Sequence, residues 1–316
     1  MRSTVFHDNW FVRHVEETGL GTPVTIPHDA MLSEPRTAIA EGGLNVSWFE
    51  GRDYVYTKKF TMTQEELQQH SILEFEGVYR KAEVFVNGKK AAFRPYGYTN
   101  FYVDLDAYLR CGENTVEVIA RNADQPNSRW YSGAGIYRPV KLWTSPKAHI
   151  ELNGVRIRTV SIDPAVVEVR VSTSVPGTVK VQILDGEKEL ACVSGEGTMN
   201  ITIPDARLWS VENPNLYTAR VTFGEDVAEE TFGIRTLTWG KDGMKMNGQR
   251  VILRGACIHH DNGVIGAATF ARAEERRVEI SKAAVGNIPG QLIVPRGKAA
   301  VTAHFSLSFR RSKASS

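Results

Sequence analysis

Apolar and polar residues alternate through much of the chain. Tyr54-Val55-Tyr56-Thr57-Lys58-Lys59-Phe60 and Ala82-Glu83-Val84-Phe85-Val86 have the two-residue period of half-buried strands. The same period recurs at 115–120, 166–171 and 178–184. Asn87-Gly88, Asp185-Gly186 and Asn247-Gly248 stand where such strands turn, and these pairs supply the positive φ of tight hairpins. Many short strands separated by turn signals predict a mainly β fold of sandwiches or barrels. Two segments have helical character. Residues 63–69 predict one short turn. Residues 269 to about 284 predict a longer helix, with Thr269 as its cap, Glu274 and Glu275 early and Lys282 late, as the helix dipole favours. Phe270, Ala273, Ile280 and Ala284 share its apolar face, and Glu274-Glu275-Arg276-Arg277 reads as a solvated one.

Breaks in the pattern at Thr144-Ser145-Pro146-Lys147 and Phe232-Gly233-Ile234-Arg235 divide the chain. The expected parts are 1–146, 147–235, 236–284 and a tail, 285–316. In the third part a strand at 251–254 leads through a loop to the helix, the opening unit of an α/β fold. One such unit cannot cover a parallel strand on both faces, so uncovered apolar surface is expected there.

Composition narrows the classes. Of 316 residues, 42% are hydrophobic and 23% charged, which excludes a disordered chain. No apolar run is long enough for a membrane span, and the first residues lack the layout of a secretory signal. Cys111, Cys192 and Cys257 are odd in number and far apart, which argues against a disulfide framework and a cysteine metal site. A cytoplasmic protein without a membrane partner is expected. The net charge of +2 is unevenly distributed. Residues 280–316 hold six basic and no acidic residues, which leaves −4 on the first 279. The six are too scattered for a phosphate groove, so no nucleic-acid partner is expected.

Several segments carry a family likeness. They are Pro23-Val24-Thr25-Ile26-Pro27-His28-Asp29, then Gly77-Val78-Tyr79 with Val84-Phe85-Val86-Asn87-Gly88, and Gly112-Glu113-Asn114. Trp130-Tyr131-Ser132-Gly133-Ala134-Gly135-Ile136-Tyr137-Arg138-Pro139-Val140 follows, then Asn213-Pro214-Asn215-Leu216-Tyr217 and Phe232-Gly233-Ile234-Arg235. Leu253-Arg254-Gly255-Ala256-Cys257-Ile258-His259-His260-Asp261 ends the series. In this order, from about residue 9 to 284, the chain resembles glycoside hydrolase family 2, and most of all its β-galactosidase branch. The resemblance implies a jelly-roll sugar-binding domain, an immunoglobulin-like sandwich and the first β/α unit of a (β/α)8 barrel. It implies retaining hydrolysis of a terminal β-glycoside, which needs two carboxylates about 5–5.5 Å apart. In the family both are glutamates on later barrel strands, so no catalytic residue is assigned here. The chain is expected to be truncated and inactive alone. No cofactor or metal is expected, the partner is a β-linked sugar, and oligomerisation belongs to the full-length relative. The alternative is a non-catalytic carbohydrate-binding or scaffold protein.

The family's Arg-x-x-His-x-Pro motif is not found after residue 284. Codons for 288–297, read two bases out of frame, can spell it, so a displaced frame is one account of the acid-free tail. The tail is expected to be disordered.

Five residues are candidates for sugar contact. His259 matches the family's histidine beside the sugar, at the barrel face where such enzymes keep their sites. His260 and Asp261 either bond sugar hydroxyls or hold His259. Adjacent side chains on an extended strand point to opposite faces, which makes His-His-Asp awkward as a metal site. Trp130 either stacks on a sugar face or anchors its loop. Arg129 either favours an acidic sugar or makes a structural ion pair.

Overall fold

The computed structural model describes residues 1–251, 257–258, 261–284 and 294–295. The chain is mainly β, as expected. Ten strands build the first sandwich: β1 (Arg2–Val5), β2 (Trp10–His14), β3 (Thr22–Val24), β4 (Asp53–Met62), β5 (His70–Phe75), β6 (Ala82–Val86), β7 (Lys89–Arg94), β8 (Phe101–Asp104), β9 (Gly112–Arg121) and β10 (Val140–Ser145). One sheet has the order β3-β2-β4-β9-β6-β7 and the other β1-β10-β5-β8. The longest ladder pairs β4 with β9, from Asp53 opposite Arg121 to Met62 opposite Gly112. That register sends Val116, Val118 and Ala120 inward with Ala82, Val84 and Val86 of β6. The Asn87-Gly88 hairpin has φ of 49° and 77°, as its sequence requires. The Asn87 side chain also donates to Asn114 Oδ1 at 2.8 Å, tying the turn to β9.

The second sandwich follows. Its strands are β11 (Ile150–Ile162), β12 (Ala165–Thr173), β13 (Val179–Asp185), β14 (Lys188–Gly195), β15 (Thr198–Thr202), β16 (Tyr217–Phe223) and β17 (Asp226–Phe232). Sheets β11-β12-β15 and β14-β13-β16-β17 enclose Val167, Val169, Val181, Ile183 and Val221, all fully buried. A three-stranded sheet comes next, β18 (Leu237–Gly240), β19 (Gly243–Met246) and β20 (Gln249–Arg250), turned by Asn247-Gly248. Asn247 donates to Trp209 O and accepts from Thr236 N, each at 3.0 Å, which fixes this sheet to the sandwich.

The sandwiches meet where the chain crosses at 146–149. Lys147 Nζ donates to Asp106 Oδ2 at 2.7 Å, and His70 Nδ1 donates to the same oxygen at 2.9 Å. The rings of His70 and His149 stack at 4.6 Å, and the His149 amide donates to Ser174 Oγ at 2.9 Å.

Beyond these bodies, β21 (Cys257–Ile258) pairs in parallel with β22 (Val294–Pro295), and α1 spans Ala271–Ala284. The helix departs from expectation in three ways. It starts two residues after Thr269, whose hydroxyl donates to Ala267 O at 3.0 Å instead of capping α1. Its buried positions are Glu274 and Val278, while Phe270 and Ile280 are exposed. Glu274, read as solvated, is only 3% exposed because Asn262 Nδ2 donates to it at 3.3 Å and Arg277 lies 3.9 Å away. The strand expected at 251–254 and the tail's disorder fall largely outside the described residues.

Leu73 lies fully buried in the first sandwich. Leu73→Ala is expected to cost about 3 kcal/mol. Urea unfolding followed by amide signals of each sandwich should show a lower midpoint for the first and little change in the second.

Candidate functional site

The centre of the site is a buried carboxylate. Pro27-His28-Asp29 leads into the short 3-10 turn Ala30–Ser33, which Asp29 caps by accepting from Met31 N at 3.1 Å. The same Oδ1 accepts from Ala134 N at 2.9 Å. Oδ2 accepts from Tyr131 Oη at 2.7 Å and from Ala267 N at 2.8 Å. Asp29 is 3% exposed. Burial raises its pKa, and the four donors oppose that shift by favouring the ionised acceptor. Three distant segments thus close on one side chain. Two glycines permit the approach: a Cβ at Gly133 would lie 2.7 Å from Oδ2, and one at Gly266 only 2.3 Å. Thr269 N donates to Tyr137 O at 2.8 Å beside them. The loop that enters α1 is therefore seated on the first sandwich.

His28 supports this seat from below. Its amide donates to Ile136 O at 2.9 Å, and its Nδ1 accepts from the Tyr56 hydroxyl at 2.8 Å. Burial lowers its pKa to about 4, so the imidazole is neutral at pH 7.

An aromatic group flanks the seat. Trp130 Nε1 donates to Tyr98 Oη at 3.1 Å, and the two rings tilt together at 6.5 Å. Tyr98 packs on Tyr79 at 5.2 Å, whose hydroxyl donates to Asn127 Oδ1 at 2.8 Å. The Tyr98 backbone is held in turn by Arg138 Nη1, donating to Tyr98 O at 3.1 Å. Burial keeps the Tyr98 hydroxyl protonated at any ordinary pH.

The sequence candidates fall as follows. Trp130 is half-buried in this group, so its ring is anchored, with part of it open to solvent. Arg129 is exposed and, among the described residues, has no ion-pair partner. Asp261 is exposed and accepts from Gly263 N at 2.9 Å, closing the start of the loop whose far end reaches Asp29. His259 and His260 lie outside the described residues. Asp29 and Tyr131 were visible only as parts of motifs. The signal that marks them is the presence of glycines at 133 and 266, close to where a buried acid needs room.

Among the described residues, one cluster has metal-like composition. Ligand atoms of His70, Asp104 and Asp106 lie within 4.8 Å of one another. The Lys147 ammonium and the Ser71 amide already bind Asp106, so this group serves the crossing between sandwiches.

Comparison with known proteins agrees with this geometry. The family model described as "Glycosyl hydrolase 2 galactose-binding domain-like" matches residues 28–156, and "Glycosyl hydrolases family 2" matches 141–235. These matches and the fold correspond to the N-terminal part of that family. The chain belongs to glycoside hydrolase family 2. It is 33% identical over 283 residues to the beta-galactosidase BoGH2A of Bacteroides ovatus, covering 81% of this chain and 33% of that protein. It is 32% identical over 262 residues to a Formosa agariphila protein provisionally named a beta-glucuronidase, covering 78% and 25%. The crystal structure of a family 2 member from Bacteroides cellulosilyticus superposes with a TM-score of 0.84 at 28% identity, covering 97% of this chain and 45% of that one. The chain spans a quarter to a third of the length of these two curated relatives.

Two outcomes are expected. Asp29→Ala strands three amides and a hydroxyl, and should cost at least about 3 kcal/mol. Hydrogen exchange should quicken at Ala267 and Ala134 together, whereas a purely local effect would leave Ala267 unchanged. The second concerns acid. The folded pKa of His28 lies below its unfolded value of about 6.5, so the neutral form's stability is complete above that pH. It is lost as pH falls from 6.5 to 4, by up to about 3 kcal/mol. His28→Gln should flatten this limb in urea titrations at pH 4 and 7.

Proposed function

We propose that this chain is the sugar-binding and barrel-entry portion of a retaining β-glycosidase of β-galactosidase type. The observation that carries the reading is the seat on Asp29, which holds the loop beginning at Asp261 against the domain that presents Arg129 and Trp130. A pyranose has apolar C–H faces and a rim of hydroxyls. The exposed part of the Trp130 ring suits the first, and the Asp261 carboxylate accepts from the second. By family likeness His259 and His260 are proposed to join them. Arg129, exposed and without an ion-pair partner among the described residues, is the feature that would favour an acidic sugar, and the names of the relatives include both sugar types.

Retention needs two carboxylates about 5–5.5 Å apart, one as nucleophile and one as acid/base. By family likeness these come from later barrel strands, and no residue of the 316 is assigned either role, so the proposal gives these residues by themselves sugar binding and no hydrolysis. A cytoplasmic setting is part of the proposal. Cys111 and Cys192 are free and exposed, which suits a reducing compartment.

Incubation with nitrophenyl β-galactoside should release no nitrophenol, and turnover above a matched blank would refute inactivity. Calorimetry should show weak binding of methyl β-galactoside, tighter than methyl β-glucuronide. The reverse order would assign the site to an acidic sugar.

A further inference from the structure

A cavity of about 550 Å³ lies between the two sandwiches and the start of α1. That size is typical of small-molecule sites. Its floor is the outer face of the sheet β1-β10-β5-β8. Leu73 and Val103 of that sheet face the sandwich core, so Glu74 and Tyr102, one residue along, face away from it. Lys141 stands opposite Glu74 in the register, and Trp143 follows two residues later on the same face.

The facing wall is a bulge. In the β11–β12 ladder Ile150 pairs with Thr173 and Val155 with Val171, so residues 151–154 face the single residue Ser172. Gly154 permits the fold, since an added Cβ would lie 2.7 Å from the carbonyl oxygens of Glu151 and Ser172. Asn153 takes a φ of 60°, a conformation asparagine tolerates, and its Nδ2 donates to Tyr102 Oη at 2.9 Å. Bulges re-aim side chains and gather beside sites.

The polar groups of the floor are held in place. Glu74 is 2% exposed, and it accepts from Trp143 Nε1 at 2.9 Å and from Asn100 Nδ2 at 3.0 Å. His7 also lines the cavity, and its buried Nε2 has no hydrogen-bond partner among the described residues. A buried polar atom left open in a wall calls for a ligand group to meet it.

Charge selects the kind of ligand. Three carboxylates of the wall have cations of their own. Lys141 Nζ donates to Glu76 at 2.5 Å, Arg220 Nε to Glu229 at 2.7 Å and Arg272 Nη1 to Glu275 at 3.4 Å. A further cation would compete with these pairs. A neutral molecule rich in hydroxyls would not, because a carboxylate has about four lone-pair sites and can accept from a cation and a hydroxyl together. The rings of Trp143 and Tyr102 and the side chains of Leu152 and Val155 offer apolar surface to C–H groups.

We propose that this cavity is a carbohydrate site for a neutral sugar. Its hydroxyls donate to the wall carboxylates and meet His7 Nε2, and its C–H faces rest on Trp143 and Tyr102. Arg129, Trp130 and Asp261 are not among the lining residues, so this site stands or falls apart from the one in the preceding section. Thr269 and Ala271 complete the wall, so a bound sugar braces the second sandwich against the start of α1.

The test follows methyl and indole NMR signals of the intact chain during titration with lactose, cellobiose and maltose, and with spermidine as a cationic probe. At least one disaccharide should move the Leu152 and Val155 methyls and the Trp143 indole signal, with a Kd below about 10 mM. Tyr102→Ala and Asn153→Gly should each weaken that binding about 5-fold or more. Both residues are exposed, and thermal melts will confirm that the variants fold. An unchanged Kd in both variants would overturn the site. So would the absence of any shift at these three residues, including the case in which only signals around Trp130 move. Spermidine moving them where no disaccharide does would overturn the sugar and assign the cavity to a cation.

Discussion

One carboxylate organises this end of the molecule. Asp29 draws donors from its own turn, from the 131–134 segment, and from a loop 238 residues further along the chain. A buried acid is tolerable only when its lone pairs are filled, and here both oxygens are. Each partner in turn depends on Asp29, since an amide left without an acceptor in this dry place would be costly. The arrangement is mutual, so it holds as a unit. Tyr131 then carries the order outward to Phe49, whose ring lies 6.3 Å away.

The sandwiches were legible because a two-residue period has one physical meaning when one face is wet. Every alternating segment read from the sequence lies in a strand but for Thr178, one residue ahead of β13, and Asn87-Gly88 and Asn247-Gly248 turn as their conformational freedom requires. The entry to α1 was less legible. Thr269 and Glu274 have the chemistry of a cap and a solvated first turn, yet both are buried by partners from elsewhere, Tyr137 and Asn262. A local rule cannot anticipate a distant partner. The same limit hid Asp29, whose motif was visible while its partners were not.

The aromatic flank shows how a loop side chain can be aimed by a core. Trp130 belongs to an irregular segment, but its indole nitrogen rests on Tyr98, and Tyr98 is fixed through Tyr79 and Arg138 to the first sandwich. Its direction is set by the sheets and less by the conformation of residues 124–130. That suits a surface meant to recognise one ligand shape, because rigid groups lose little freedom on binding.

The crossing at 146–149 has a consequence for how such proteins are recombined. Its polar groups are satisfied from both sides, by His70 and Asp106 of the first sandwich and Ser174 of the second. Neither sandwich can be grafted onto a foreign neighbour as a free module without orphaning these contacts. The two travel together, and a designer moving sugar-binding specificity between relatives should not cut at 146.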